Sequence, residues 1–226
     1  MTIPGNVLVD IRLLIFDLDG TLIDSKTDLA LSVNAMRQQM GLTPLAHDLI
    51  ASYVGQGVHI LVRRALGEKA GEEDIREGLD FFLEYYRLHM LDNTVIYPGV
   101  REALEELRTR QLAVLTNKSE KLSRVILEGL GIAHYFSFVY GGNSFPRKKP
   151  DPAGVHTLMQ DTGASPRQTM IVGDSETDVV TGQNAGVWTC GVAYGFGAPT
   201  LVNTSPDLLL ADLRDLPPLL DGKKRA

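Results

Sequence analysis

The chain has 226 residues, 44% hydrophobic and 22% charged, a composition typical of a soluble globular protein and unlike a collagen-like or disordered chain. Lys and Arg total 22 and Asp and Glu total 28, so the net charge of −6 disfavours nucleic acid as a partner, and we interpret the short basic tail at 223–225 as a solvated end. A single cysteine, Cys190, excludes an internal disulfide and favours a reducing, cytoplasmic compartment. Residues 1–10 lack the features of a secretory signal, and no apolar run reaches the roughly 18–20 residues needed to span a membrane.

Short apolar runs that end in turn signals predict six buried strands. They cover 11–16, 112–115, 136–140, 169–172, 187–192 and 208–210. Apolar residues at helical spacing separate most of these runs, as in 100–107 and 122–130. Alternation of strands and helices predicts an α/β fold, a Rossmann-like core around a mainly parallel sheet.

The segment 24–94 contains no predicted strand. Apolar residues recur there at helical spacing in three stretches, 29–40, 58–66 and 75–86. This segment is much longer than the roughly dozen residues that a crossover between parallel strands requires. We therefore predict an inserted α-helical cap domain at 24–94, a core formed by 1–23 and 95–226, and hinges near 23–24 and 94–99.

Polar residues follow four of the predicted strands, where the chain leaves the sheet. They are Asp17, Asp19, Gly20 and Thr21; Thr116, Asn117 and Lys118; Lys148 and Lys149; and Asp174, Ser175 and Asp178. Because ligands bind beyond the carboxyl ends of parallel strands, we expect these residues to meet at one edge of the sheet.

Carboxylates brought this close raise one another's pKa unless a cation lies between them. A site of oxygen ligands alone suits Mg²⁺, which shares its coordination sphere with phosphate oxygens. Lys149 and the Thr116 hydroxyl could donate to the remaining phosphate oxygens. The set predicts phosphoryl transfer, in which a carboxylate can serve as the nucleophile.

Four motifs resemble those of the haloacid dehalogenase superfamily of phosphohydrolases. They are Phe-Asp-Leu-Asp-Gly-Thr-Leu at 16–22, Leu-Thr-Asn-Lys at 115–118, Lys-Pro at 149–150 and Val-Gly-Asp-Ser-Glu-Thr-Asp at 172–178. Their order and spacing agree over nearly the whole chain, and the helical insert lies where one cap type of the superfamily lies. The resemblance implies an Mg²⁺-dependent phosphatase that acts on a small phosphorylated metabolite.

The resemblance also implies roles for individual residues. Asp17 would attack phosphorus and bind Mg²⁺, and Asp174 would complete the protein ligands. Asp19 would bind Mg²⁺ through its backbone carbonyl, while its carboxyl group protonates the leaving oxygen and then deprotonates the attacking water. Lys149 would neutralise the phosphoenzyme. Lys148 is the competing candidate, although the motif has its lysine next to proline.

The resemblance also implies residues that bind the phosphate or orient groups around the metal. By the same resemblance Thr116 and Asn117 grip the phosphate, while Gly20 allows a sharp turn whose N–H groups face it. Asp178 would orient water at the metal. The alternative for Thr116, Asn117 and Asp178 is that they cap the helices that follow, and we expect Ser175 to be a capping or turn residue.

Substrate choice is predicted to depend on the cap. Gly-Gln-Gly at 55–57, followed by a helix with Arg63 and Arg64, resembles phosphoglycolate phosphatases. That family has an acidic residue where Arg63 stands, so only Arg64 matches. Arg64 would bind a substrate carboxylate, with an exposed surface role as the alternative. The resemblance makes 2-phosphoglycolate the best single candidate for the substrate.

Other functions remain open at this stage. A sugar-phosphate mutase of the β-phosphoglucomutase type and a pyrophosphatase would keep all four motifs, whereas a dehalogenase would lack Asp19. A receiver module that accepts phosphate without turnover is disfavoured by the large helical insert. The sequence does not distinguish a monomer from a homodimer.

Overall fold

The computed structural model describes residues 10–222, so the N-terminal segment 1–9 and the basic tail at 223–225 lie outside it. Its strands are β1 (Leu13–Phe16), β2 (Ile23–Asp24), β3 (Val95–Ile96), β4 (Gln111–Leu115), β5 (Phe138–Tyr140), β6 (Thr169–Gly173), β7 (Trp188–Val192) and β8 (Leu208–Leu210). All except β2 and β3 form one parallel sheet in the order β5-β4-β1-β6-β7-β8. The prediction of an α/β fold with a mainly parallel sheet is confirmed.

The helices are α1 (Lys26–Gln39), α2 (His47–Ala51), α3 (Val58–Leu66), α4 (Glu72–His89), α5 (Val100–Leu107), α6 (Glu120–Gly129), α7 (Ala153–Thr162), α8 (Glu176–Ala185) and α9 (Leu216–Leu220). Short 3₁₀ turns cover Ala133–Tyr135, Pro166–Gln168, Ala198–Asn203 and Leu213–Asp215. The sequence predicts α1, α3 and α4 but not α2, whose five residues are too few to establish a helical period. Within 10–222, no helix is both long and apolar enough to cross a membrane.

Side chains of β1 enter the core on both faces of the sheet. Leu14 and Phe16 belong to one hydrophobic cluster, whereas Leu13 and Ile15 belong to another. The first cluster includes the apolar face of α5, and the second includes residues of α7. Because both faces are covered by helices, this central strand is continuously apolar, as the sequence predicts.

Helices α1–α4 lie between β1 and β4 in the chain and pack on one another. The helix α4 packs against both α1 and α3, and its Phe82 and Tyr86 are buried. The chain enters and leaves this helical segment through β2 and β3, which pair antiparallel with Ile23 opposite Ile96. The paired strands coincide with the predicted hinge positions, and the division into two domains stays a prediction.

Candidate active site

The carboxyl ends of three adjacent strands open into one cleft. Phe16 pairs in register with Val114 on one side and Val172 on the other, so the residues after β1, β4 and β6 emerge at the same sheet edge. Apolar side chains of the helical segment form much of the opposite wall of the cleft, namely Leu29, Val54, Val58, Leu61, Phe82 and Leu83. The cleft thus combines a polar floor with an apolar roof.

Asp17 is held at the floor by a buried lysine. Lys149 Nζ lies 2.8 Å from Asp17 Oδ1 and 2.6 Å from Asp178 Oδ1. The Lys149 side chain is 3% exposed, whereas Lys148 is exposed and its ammonium lies beside Gly57. The structure therefore brings Lys149, rather than Lys148, to Asp17.

Burial and charge together fix the ionisation of this lysine. Burial alone would lower the pKa of Lys149, but the adjacent carboxylates of Asp17 and Asp178 reverse that effect and raise it. Lys149 is consequently a permanent positive charge beneath the cleft. Asp178 also accepts hydrogen bonds from the backbone N–H and the hydroxyl of Ser175, which caps α8, so the predicted capping role of Ser175 is seen.

Asp174 lies in a pocket of backbone formed by two glycine-containing loops. Its Oδ2 accepts a hydrogen bond of 2.7 Å from the Gly197 N–H, and its Oδ1 lies 3.4 Å from the Thr21 hydroxyl. A Cβ at Gly20, where φ is +88°, would stand 2.1 Å from Asp174 Oδ2, and one at Gly195 would stand 2.2 Å from the Gly20 carbonyl oxygen. Glycine is required at both positions because any side chain would displace Asp174.

Three carboxylates form a cluster that can hold a metal ion. Asp17, Asp174 and Asp178 each offer an oxygen, and these atoms lie within 4.8 Å of one another. Burial raises the pKa of Asp17 to about 6, with Lys149 opposing and Asp178 adding to the rise. Burial, Asp178 and Asp17 raise the pKa of Asp174 well above its ordinary value. A buried set of oxygen donors that repel one another fits a hard divalent cation.

The carboxylate of Asp19 lies apart from this cluster. Its oxygens accept hydrogen bonds from Lys118 Nζ at 3.0 and 2.9 Å, and the Ser25 hydroxyl donates to Oδ1 at 2.5 Å. Although burial would lower the pKa of Lys118, the charge of Asp19 raises it above its ordinary value. Lys118 is the last residue of the second motif, and its pairing with Asp19 was not predicted. The lysine in Leu-Thr-Asn-Lys was the only signal for it.

Asn117 connects three parts of the site. Its side-chain amide donates to the Gly55 carbonyl at 2.8 Å and to the Lys149 carbonyl at 3.0 Å. An amide nitrogen has two protons, so the side chain has no further donor for a phosphate, and only the backbone N–H could serve. The neighbouring Thr116 is buried and lines the cleft.

The predicted carboxylate ligand of the cap lies outside the cleft. Arg64 is on the surface of α3, where its guanidinium donates to Gln56 Oε1 at 2.8 Å. The sequence gave no part in the site to several residues that line the cleft, among them Phe196 and Gly197 in the loop after β7 and Tyr86 on α4. The sequence suggests only that the loop at 194–197 borders the site and assigns it no role, and the structure shows Phe196 and Gly197 lining the cleft.

The fold and the acidic cleft define a hydrolase of the haloacid dehalogenase type. A family model described as haloacid dehalogenase-like hydrolase matches residues 14–192. The chain belongs to this family and is an enzyme.

Particular relatives are similar over most of their length. Phosphoglycolate phosphatase from Chromobacterium violaceum is 41% identical over 221 residues, which cover 92% of this chain and 97% of the relative. Phosphoglycolate phosphatase from Pseudomonas putida is 40% identical over 216 residues, covering 92% of this chain and 79% of the relative. The crystal structure of a predicted phosphoglycolate phosphatase from Haemophilus somnus superimposes with a TM-score of 0.87 at 34% identity, covering 92% of this chain and 96% of that one.

Proposed function

We propose that this enzyme is an Mg²⁺-dependent phosphatase that hydrolyses 2-phosphoglycolate through an aspartyl phosphate on Asp17. The observation that carries the proposal is the contact of Asp17 with Lys149, in a cleft that also contains Asp174. The names of the similar proteins support the choice of substrate. The free, buried thiol of Cys190 is in keeping with the cytoplasmic location that we infer.

The first half of the reaction forms the phosphoenzyme. A carboxylate oxygen of Asp17 attacks phosphorus, and the bond from phosphorus to the glycolate oxygen breaks. To act as the acid, Asp19 must carry a proton instead of its ionised pairing with Lys118. It then gives that proton to the leaving oxygen, so glycolate departs neutral at its hydroxyl group. Lys149 Nζ fixes Asp17 through Oδ1 and offsets the negative charge that accumulates at the phosphoryl group.

The second half returns the enzyme to its starting state. The Asp19 carboxylate, now lacking its proton, removes a proton from a water molecule whose oxygen attacks the aspartyl phosphate. The bond between phosphorus and the Asp17 oxygen breaks, which releases inorganic phosphate and restores both carboxyl groups. The Thr116 hydroxyl and the backbone N–H groups of Leu18 and Asp19 could donate to the phosphate in both halves. The N–H groups of Gly20 and Thr21 instead donate to the carbonyls of Ile23 and Leu18.

The negative charge of the three clustered carboxylates favours binding of a cation. We infer that Asp17 and Asp174 hold Mg²⁺, with Asp178 supporting the site through Lys149. Bound Mg²⁺ would neutralise charge between these carboxylates and the phosphate oxygens. The resemblance adds the backbone carbonyl of Asp19 as a ligand.

Release of inorganic phosphate tests the proposal directly. Wild-type protein with Mg²⁺ should hydrolyse 2-phosphoglycolate and para-nitrophenyl phosphate, and EDTA should abolish both activities. Asp17→Asn should lower kcat at least about a thousandfold without unfolding the chain, because the amide cannot attack phosphorus. Conversion of a sugar phosphate to its isomer without phosphate release would instead indicate a mutase. A stable phosphoprotein without turnover would indicate a receiver.

The preferred substrate requires a separate comparison. A panel of phosphorylated metabolites, including pyrophosphate and sugar phosphates, should give the highest kcat/KM for 2-phosphoglycolate, since that ratio defines discrimination between substrates. A much higher value for another member of the panel would overturn the substrate assignment and leave the phosphatase assignment intact.

A further inference from the structure

One buried polar atom of the cleft has no partner. Tyr86 of α4 is 1% exposed and lines the cleft, and its hydroxyl has no partner in hydrogen-bonding geometry among the described residues. Burying a hydroxyl without a partner costs free energy, so such a group is uncommon in a well-packed core. An unpaired donor in the wall of a substrate cleft points to a ligand.

The ammonium group of Lys118 lies next to this tyrosine. Lys118 Nζ is 4.8 Å from the centroid of the Tyr86 ring, and its side chain is 8% exposed. An ammonium group has three N–H donors, of which two serve the oxygens of Asp19. The third N–H faces the region that Lys118 shares with Tyr86, where the ammonium group and the Tyr86 hydroxyl interact without forming a hydrogen bond of good geometry.

We propose that Tyr86 and Lys118 bind the second anionic group of the substrate, the carboxylate of 2-phosphoglycolate. This inference rests on the proposed function, and it assigns the specificity of that reaction to a residue of α4 and a residue of the loop after β4. Surrounding apolar side chains, among them Leu29 and Phe82, would make an unpaired carboxylate costly there. The pair of donors would thus select a carboxylate.

The structure of 2-phosphoglycolate is compatible with a carboxylate site at Tyr86 and Lys118. In 2-phosphoglycolate, one methylene group separates the carboxylate from the bridging oxygen that Asp19 is proposed to protonate. The ammonium group that holds Asp19 at 2.9 Å is therefore close to the position that such a carboxylate would occupy. Arg64, the candidate from the sequence, instead donates to Gln56 outside the cleft.

The Tyr86 hydroxyl stays protonated, as a hydrogen-bond donor to a carboxylate must. Burial raises the pKa of the Tyr86 hydroxyl to about 12, with the charge of Lys118 opposing that rise. The hydroxyl is therefore a hydrogen-bond donor throughout the neutral range. Tyr86→Phe removes a hydroxyl that makes no hydrogen bond of good geometry in the free enzyme, so the melting temperature should change little.

The test compares two substrates of equal length. In 2-hydroxyethyl phosphate a neutral CH₂OH group replaces the carboxylate of 2-phosphoglycolate. Tyr86→Phe should lower kcat/KM for 2-phosphoglycolate about tenfold to a hundredfold, as expected for a hydrogen bond to a charged group, and should lower it much less for the neutral substrate. Tyr85→Phe, which removes the neighbouring hydroxyl on the same helix, should change neither value.

Lys118→Met provides a second variant. It should lower kcat/KM for both substrates, because Asp19 loses its partner, but the loss should be larger for 2-phosphoglycolate. The inference is overturned if both variants lose kcat/KM equally on the two substrates, since a structural or positioning role would account for such losses. It is also overturned if Tyr86→Phe alone leaves the ratio of kcat/KM for 2-phosphoglycolate to kcat/KM for 2-hydroxyethyl phosphate unchanged.

The wild-type enzyme separates this inference from the function on which it rests. If it hydrolyses 2-hydroxyethyl phosphate as efficiently as 2-phosphoglycolate, carboxylate recognition is wrong while the phosphatase stands. If it hydrolyses neither substrate, nor para-nitrophenyl phosphate, the proposed function fails and the inference fails with it.

Discussion

Asp17 and Asp174 occupy a site where burial opposes their charge. Asp17 is 8% exposed and Asp174 is 2% exposed, and each lies near the other and near Asp178. Lys149 provides a compensating positive charge, but it contacts Asp17 and Asp178 rather than Asp174 in the hydrogen bonds of the site. One lysine against three acids leaves a negative excess that a divalent cation would relieve.

This excess predicts how the stability of the cation-free protein depends on pH. The pKa of Asp17 is about 6 when folded, above its ordinary value of 3.8, so the folded chain binds this proton more tightly than the unfolded chain. The resulting stabilisation is complete below the unfolded pKa and is lost as the pH rises through the folded pKa. In EDTA, we expect Asp17 to lower the melting temperature as the pH increases from about 4 to about 7.

Asp17→Asn is the matched control for that titration. Because the amide has no charge to bury, the variant should lose part of the pH dependence, and its melting temperature at pH 7 in EDTA should equal or exceed that of the wild type. Mg²⁺ should raise the melting temperature of the wild type more than that of the variant. A wild type that gains stability relative to Asp17→Asn as the pH increases through this window would contradict the assignment.

Asp19 gives a second prediction at the scale of a residue. Asp19→Asn keeps an oxygen that can accept from the Ser25 hydroxyl but removes the group that transfers protons. We expect kcat to fall about 10²- to 10⁴-fold, with both formation and hydrolysis of the phosphoenzyme slowed, as measured by rapid quenching. Near-native turnover in this variant would refute the acid–base role.

Among the elements, the start of α1 is tied to the end of the helical segment by Asp28. This carboxylate, 1% exposed, accepts hydrogen bonds from the backbone N–H groups of Asn93 and Thr94, and from the Asn93 amide and the Thr94 hydroxyl. The contact lies beside the antiparallel pair β2–β3, where the chain passes between the sheet and the helices. Asp28 therefore fixes the geometry of this connection.

Replacing Asp28 should destabilise the protein measurably. Asp28→Ala leaves several buried donors without an acceptor, so we expect the free energy of unfolding to fall by roughly 3 kcal/mol in urea denaturation. Asp80→Ala, at an exposed position of α4, is the control and should change it by less than about 0.5 kcal/mol. A loss for Asp28→Ala no larger than that of the control would show that these hydrogen bonds contribute little.

Across the whole molecule, the cleft is bounded by both the sheet edge and the helical segment. The floor consists of strand-end residues such as Asp17 and Thr116, whereas the roof includes Val58 and Phe82. The connections at β2 and β3 are two residues each, which is typical of hinges that absorb rotation in short segments. Closure of the helices would exclude water while the phosphoenzyme forms, and opening would release the product.

This closure should be visible in solution. With Mg²⁺ and orthovanadate, an analogue of the transferred phosphoryl group, small-angle scattering should show a smaller radius of gyration than for the free protein. Mg²⁺ alone is the control and should produce little change. If orthovanadate inhibits the enzyme without altering the scattering profile, the prediction of a moving cap is wrong.

The sequence by itself determined the sheet and the residues at its edge. Helices cover both faces of the sheet, so its strands are continuous apolar runs that can be recognised in the sequence. Because the strands are parallel, the residues that follow them, such as Asp17 and Asp174, lie at the same edge of the sheet. The pairing of β2 with β3 and the helix α2 were missed because two to five residues do not establish a period.

Only the tertiary structure decided which side chains meet. The proline after Lys149 favours this lysine over Lys148 in the sequence, but only the structure shows it buried against Asp17 and Asp178. The approach of Tyr86 to Lys118 depends on how α4 packs over the loop after β4. Local periodicity encodes helices and strands, but contacts between distant residues arise from packing and from the loss of water around buried charges, which no local pattern contains.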